Sequence, residues 1–168
     1  MAYRVHGMIK GNYLTGGYFP VAASQYFRHG HGGFVCLNAD GRLEVALTAT
    51  QKLFGWAIVP SSSSGAAAAG VNYWLSSATA GADVLYVITD VNAWFSIPVY
   101  QTGALVDASQ ARVGEAVDIN CTNDAATGGQ TTDLNISTND ILLVKGWTPD
   151  DTKVIFVSMN PDEIQVTN

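Results

Sequence analysis

The sequence predicts an all-β fold, a small β-barrel or sandwich with one short helical turn and an extended N-terminal arm. Three observations predict it. Short runs of alternating or wholly apolar residues recur along the chain. Gly, Asn, Asp and Pro separate them, and these residues favour turns. No long stretch has the 3.6-residue apolar spacing of an amphipathic helix. A chain of 168 residues suits one domain with a substantial core, read as an arm over 1–20 and a single barrel over 21–168.

In chain order, residues 1–20 carry Tyr3, Tyr13, Tyr18 and Phe19 among Gly7, Gly11, Gly16 and Gly17. Glycine at that density opposes regular structure, so an extended arm with one short strand is expected. Its aromatics either anchor on a partner or fold back on the chain's own barrel. Strands are expected on both sides of Asn38-Ala39-Asp40-Gly41, because Asp-Gly is a strong hairpin signal. The next strand, closed by Pro60, contains Gly55, which marks a bulge or a close backbone approach. Residues 61–70, SSSSGAAAAG, read as a surface loop, since the alanine run is too short for a stable helix. A short aromatic strand follows at Tyr73 and Trp74.

Residues 83–100 hold the densest run of β-branched and aromatic residues, apolar on both faces. They read as a central hairpin turning at Asp90-Val91-Asn92, with the second strand ending at Pro98 or lying at an edge. Asp107 to Gly114 reads as a helical turn with Asp107 as N-cap and Gly114 as the stop. Strands are expected at 115–121, 134–138, 141–145 and 153–159, with a polar loop at 123–133.

Charged residues make up 13% of the chain and the net charge is −6. Phosphate binding needs clustered Lys and Arg, and the eight present are scattered, so no nucleic-acid partner is expected. A polybasic membrane patch is excluded on the same ground, and no apolar run approaches the ~20 residues of a spanning helix. The first residues lack the apolar core of a signal peptide, so the chain is expected to be made in the cytoplasm and used without secretion. Cys36 and Cys121 are far apart and read as buried free thiols.

Candidate chemistry is sparse. His29 and His31 flank a glycine and could share one face of a strand, but two imidazoles make half a metal site. Asn38 to Gly41 lacks the spaced acids of a calcium loop. No nucleophile elbow or phosphate-cradling glycine motif occurs, and the acids are dispersed. Neither an enzyme nor a cofactor or metal requirement is expected.

The order of segments resembles that of tailed-phage head decoration, or capsid cement, proteins. In YFRHGHGGFVCLNADGRLEVALTATQKLFGWAIVP the likeness rests on Gly33, Asp40, Gly41, Gly55 and Ala57. In AWFSIPVYQTGALVDASQARVGEAVDIN it rests on Phe95, Ile97, Gly114, Val117 and Ile119. In ILLVKGWTPDDTKVIFVSMNPDEI it rests on Ile141, Leu143, Gly146, Pro149, Asp151, Ile155 and Val157. It covers roughly residues 19–164; the arm and the Ser/Ala stretch lie outside the pattern. The resemblance implies a barrel that binds the outside of an icosahedral capsid, with the major capsid protein as partner and a homotrimer as the self-assembled form. The expected location is the virion exterior. Tyr3, Tyr13, Tyr18, Phe19, Tyr73 and Trp74 are the candidate interface residues. The competing readings are a tail or baseplate barrel, and a glycan-binding module stacking sugars on Trp56, Trp74, Trp94 or Trp147.

Overall fold

A computed structural model describes residues 7–12, 14–28, 32–60, 73–101, 104–105, 107–124, 129–133 and 139–165. They form fourteen strands: β1 (Gly7–Lys10), β2 (Gly16–Pro20), β3 (Tyr26–Arg28), β4 (Gly33–Leu37), β5 (Leu43–Val45), β6 (Gly55–Ile58), β7 (Tyr73–Leu75), β8 (Val84–Ile88), β9 (Trp94–Gln101), β10 (Ala104–Leu105), β11 (Ala116–Asn120), β12 (Thr131–Asp133), β13 (Leu142–Trp147) and β14 (Val154–Met159). The helical content described is two 3-10 turns, Gln110–Arg112 and Pro161–Glu163. The expected all-β class is therefore the observed one.

β9, β12, β11, β13 and β14 join edge to edge, and β14 pairs back onto β9, closing a five-stranded barrel. A second sheet runs β2-β8-β6-β4-β5, antiparallel throughout. Its edges draw together at Val21, which bridges to Leu43 and donates its N–H to the Asp83 carbonyl at 2.9 Å. β3 and β7 form a separate two-stranded ribbon.

Alternation along the strands fills two cores. Inward residues of the barrel, Phe95, Ile97, Val117, Ile119, Val144 and Val157, share one cluster with Phe34, Trp56 and Ile88 from one face of the second sheet. The other face of that sheet supplies Val35, Ala57, Leu85 and Val87 to a second cluster, closed by Phe27 and Trp74 of the ribbon. The second sheet thus has a core on each face, which is why its strands read as continuous apolar runs. Trp56 lies flat on Phe95 at 4.8 Å, and the Phe34 ring stands edge-on to both.

Side-chain amides complete the ladders. Buried Gln130 accepts the Phe34 N–H at 2.5 Å and donates to the Phe34 and Ala46 carbonyls at 2.7 and 2.9 Å. Gln165 does the same for Leu37, accepting its N–H at 2.6 Å and donating to its carbonyl at 3.0 Å. Gln25 accepts the Val45 N–H at 3.0 Å. An amide carries a donor and an acceptor side by side, so it can stand in for a peptide group where no strand is present.

Several expectations need correction. β8 and β9 do not form a hairpin: β8 lies between β2 and β6, and β9 lies in the barrel. The Asp90 turn exists, with Ala93 N–H to the Asp90 carbonyl at 3.1 Å, but it carries the chain from one sheet to the other. Pro98 lies inside β9 and is buried. On one side of β9, residues 94–96 pair with β1 and residues 99–100 with β12, so the missing N–H falls between the two pairings. Ser109, not Asp107, is the N-cap of the first 3-10 turn; Asp107 pairs with Lys153 at 2.9 Å and accepts the Thr152 hydroxyl. Cys36 is half-buried, not buried. The stretch read as an arm contains β1, paired with β9, and β2, paired with β8, so it is built into both sheets. β12 lies within the stretch read as a polar loop. The expected loop at 61–70, the strand at 134–138, and His29 and His31 lie outside the described residues.

The Asp-Gly turn is as expected, with β4 and β5 antiparallel and Gly41 at φ +72°. At Gly55 the close approach is real, since a Cβ there would sit 2.5 Å from the Ile88 carbonyl oxygen. Replacing Gln130 by Ala strands the buried Phe34 N–H and is expected to cost about 1–3 kcal/mol in urea unfolding. Gln165→Ala, at a more exposed site, is expected to cost less.

Candidate interaction surface

The face of the second sheet that meets the barrel is wider than the barrel. Trp56 and Ile88 pair across β6 and β8 and are buried under it. One row further along, Tyr18, Tyr86 and Ile58 are lateral neighbours across β2, β8 and β6. Beyond them Pro20 pairs with Val84. Tyr18 is 75% exposed, Val84 53% and Ile58 39%. The Tyr18 ring stands edge-on to Tyr86 at 5.1 Å. Leu14, just before β2, is 88% exposed. This ledge contains no charged side chain, and its backbone is fixed by strands that enter both cores. A fixed, uncharged, partly aromatic surface is what a protein partner would bury.

The sequence-derived interface residues are not brought together. Tyr3 and Tyr13 lie outside the described residues. Tyr18 is on the ledge, whereas Phe19 points to the opposite face and packs edge-on to Phe54 at 4.7 Å. Tyr73 is half-buried against Tyr26, with centroids 5.4 Å apart. Trp74 is 2% exposed and packs on Phe27, so it belongs to the core and leaves the interface set. Sequence reading missed Leu14, Ile58, Val84 and Tyr86. The signal for two of them was their shared face, but both faces of that strand are apolar, so nothing marked one as open.

The four tryptophans are also dispersed. Trp56 and Trp74 are core residues, Trp94 lies beneath the Lys10 ammonium at 4.5 Å, and the Trp147 indole N–H donates to Gln110 at 2.9 Å. Ion pairs among the described residues are at least partly exposed: Arg42–Asp40 and Arg112–Glu115 are local, and Lys153–Asp107 joins distant segments. Such pairs contribute little to stability. Among the described residues no three His, Cys, Asp or Glu side chains converge on a metal position, and no helix is long and apolar enough to cross a membrane.

Both cysteines are free. Burial, then the charge of Glu44, raises the Cys36 thiol; burial, then the charge of Asp124, pushes Cys121 up to about 12. Neither is a thiolate at neutral pH, so the shallow cleft of about 360 Å³ beside Cys36, lined by Leu37, Thr50, Lys52 and Gln165, offers no activated nucleophile.

Cys121 is therefore expected to resist a disulfide reagent at about pH 8 while the chain is folded, and to react once it is unfolded. A folded-state value above the ordinary 9.0 means that this group's contribution to stability is complete below about pH 9 and is lost as pH rises towards 12. Urea unfolding followed across that range is the check. No protein-family model, curated protein or solved structure matches this chain.

Proposed function

We propose that this chain is a non-enzymatic structural protein of a bacteriophage virion. It binds the outer face of an icosahedral capsid and stabilises it by bridging major capsid protein subunits, without a cofactor. The observation that carries the reading is the uncharged ledge of Tyr18, Ile58 and Val84, standing on a sheet with a core on each face. The partner is the one implied by the resemblance of the segment order to capsid cement proteins. A rigid body with a dry contact surface can hold neighbouring subunits at a fixed separation, and needs no moving part to do so.

The energetics suit repetition. Each exposed apolar side chain that becomes buried stabilises the contact by roughly 1.5–3 kcal/mol, before ordering costs. One copy with a few such groups binds modestly. Linked copies, such as the trimer that the resemblance implies, gain through effective concentration.

The test is to purify particles and determine by mass spectrometry whether the chain is present at a fixed ratio to the main shell protein. Its absence contradicts the proposal. The ledge is tested with Val84→Lys. The site is more than half exposed, so the folded chain is expected to lose only about 0.5 kcal/mol or less. Its occupancy on undecorated shells is expected to fall by at least about tenfold, because a charge must be dried or left unpaired in the contact.

A further inference from the structure

The outer edge of β2 has a hydrogen-bonding pattern that is its own complement. Thr89 donates its N–H to the Thr15 carbonyl, and Val21 to the Asp83 carbonyl, both at 2.9 Å. In an antiparallel ladder the bonded positions alternate, so the odd-numbered residues of β2 face β8. The N–H and C=O groups of Gly16 and Tyr18 therefore point away from the sheet. Among the described residues no strand pairs with Gly16 or Tyr18 on that side; β5 reaches this edge only further along, where Leu43 bridges to Val21 and accepts the Ala22 N–H at 2.9 Å.

Both ends of this edge are closed to pairing. Leu14 spends its N–H on the Asn12 side chain at 2.9 Å, and Pro20 has no N–H. What remains is a donor and an acceptor on Gly16 and the same on Tyr18, placed symmetrically about Gly17. Edge strands usually carry charges or bulges that block such pairing. β2 carries neither, and Pro20 alone limits its length.

We infer that β2 pairs antiparallel with β2 of a second copy of this chain, about a two-fold axis at Gly17, so that the two sheets become one. In this register Gly16 of each copy faces Tyr18 of the other, and each rung forms a pair of N–H···O bonds. The next rung would set Leu14 against Pro20, where the donors are used or absent, so the pairing stops there. Moving the axis to Tyr18 sets Gly16 against Pro20 and leaves carbonyls without donors. The axis at Gly17 also lays each Tyr18 ring beside a residue with no side chain. Val84 and Ile58 lie one and two strands inward, so they stay open and the two ledges join into one continuous face, while the paired residues Gly16, Gly17 and Tyr18 carry no charge. A two-fold contact is isologous and gives even-numbered assemblies, which distinguishes it from the trimer implied by the resemblance.

The experiment combines sedimentation over a concentration series with residue-resolved amide exchange on the intact chain. The expected result is a monomer–dimer equilibrium in which the Gly16 and Tyr18 amides exchange more slowly as the dimer forms, while the Gly17 and Phe19 amides, bonded to β8, do not change. Tyr18→Lys, at an exposed site, is expected to raise the dimer dissociation constant by at least about tenfold without altering thermal unfolding of the monomer. A monomer at every concentration, a trimer, or a dimer with unchanged Gly16 and Tyr18 exchange overturns the inference. So does slow exchange of both amides at every dilution, which would mean that the chain covers its own edge. Slowing only on addition of shell protein would make a foreign strand the occupant and also overturn it.

Discussion

The stacking of Trp56 on Phe95, with Phe34 edge-on to both, holds this molecule together. Phe34 and Trp56 belong to the second sheet and Phe95 to the barrel. Without that contact the barrel and the second sheet would be joined only by chain crossings and by peripheral hydrogen bonds such as those of Gln130 and Gln165. With it, one core runs from the barrel interior to the face of the sheet. Aromatic pairs in this geometry stabilise beyond the area they bury, and a flat stack bounded by an edge contact restricts sliding in the plane.

The remaining constraints follow from that contact. A sheet with one face committed to the barrel and the other to the β3–β7 ribbon must be apolar on both sides, and it must satisfy its peptide groups internally. Gln130 reaches the peptide group of Phe34 from the segment before β12. It therefore fastens the barrel strands to the sheet beside the aromatic contact. Gln165 ties the C-terminal segment to Leu37 in the same manner. Loops of the barrel and backbone of the sheet are thus one hydrogen-bonded system.

What was legible in the sequence was local. The Asp40-Gly41 turn, the close approach at Gly55 and the stop at Gly114 each follow from backbone geometry that a few residues specify. Partner choice was not legible. The pattern around Asp90 is the same whether the strands on either side of it pair or part, and only the other strands decide. Pro98 was misread because the exchange of β1 for β12 along one edge of β9 is a property of three distant segments. Gln130 was invisible as a structural residue, since a polar side chain in a glycine-rich stretch reads as solvent-facing. For the surface, Tyr18 was found because an aromatic among glycines stands out. Val84 was missed because exposure on a two-sided apolar strand depends on how far the barrel reaches.

The proposed function asks only for a rigid part. Its ledge is held by strands that run into both cores, so a load on the ledge passes to the aromatic contact rather than to a loop. The most direct measurement is the temperature at which purified shells come apart as this chain is added. The account predicts a rise that saturates when the shell sites are filled and that is much smaller with Val84→Lys at the same concentration. A dissociation temperature that stays constant while the chain occupies the shell would contradict it.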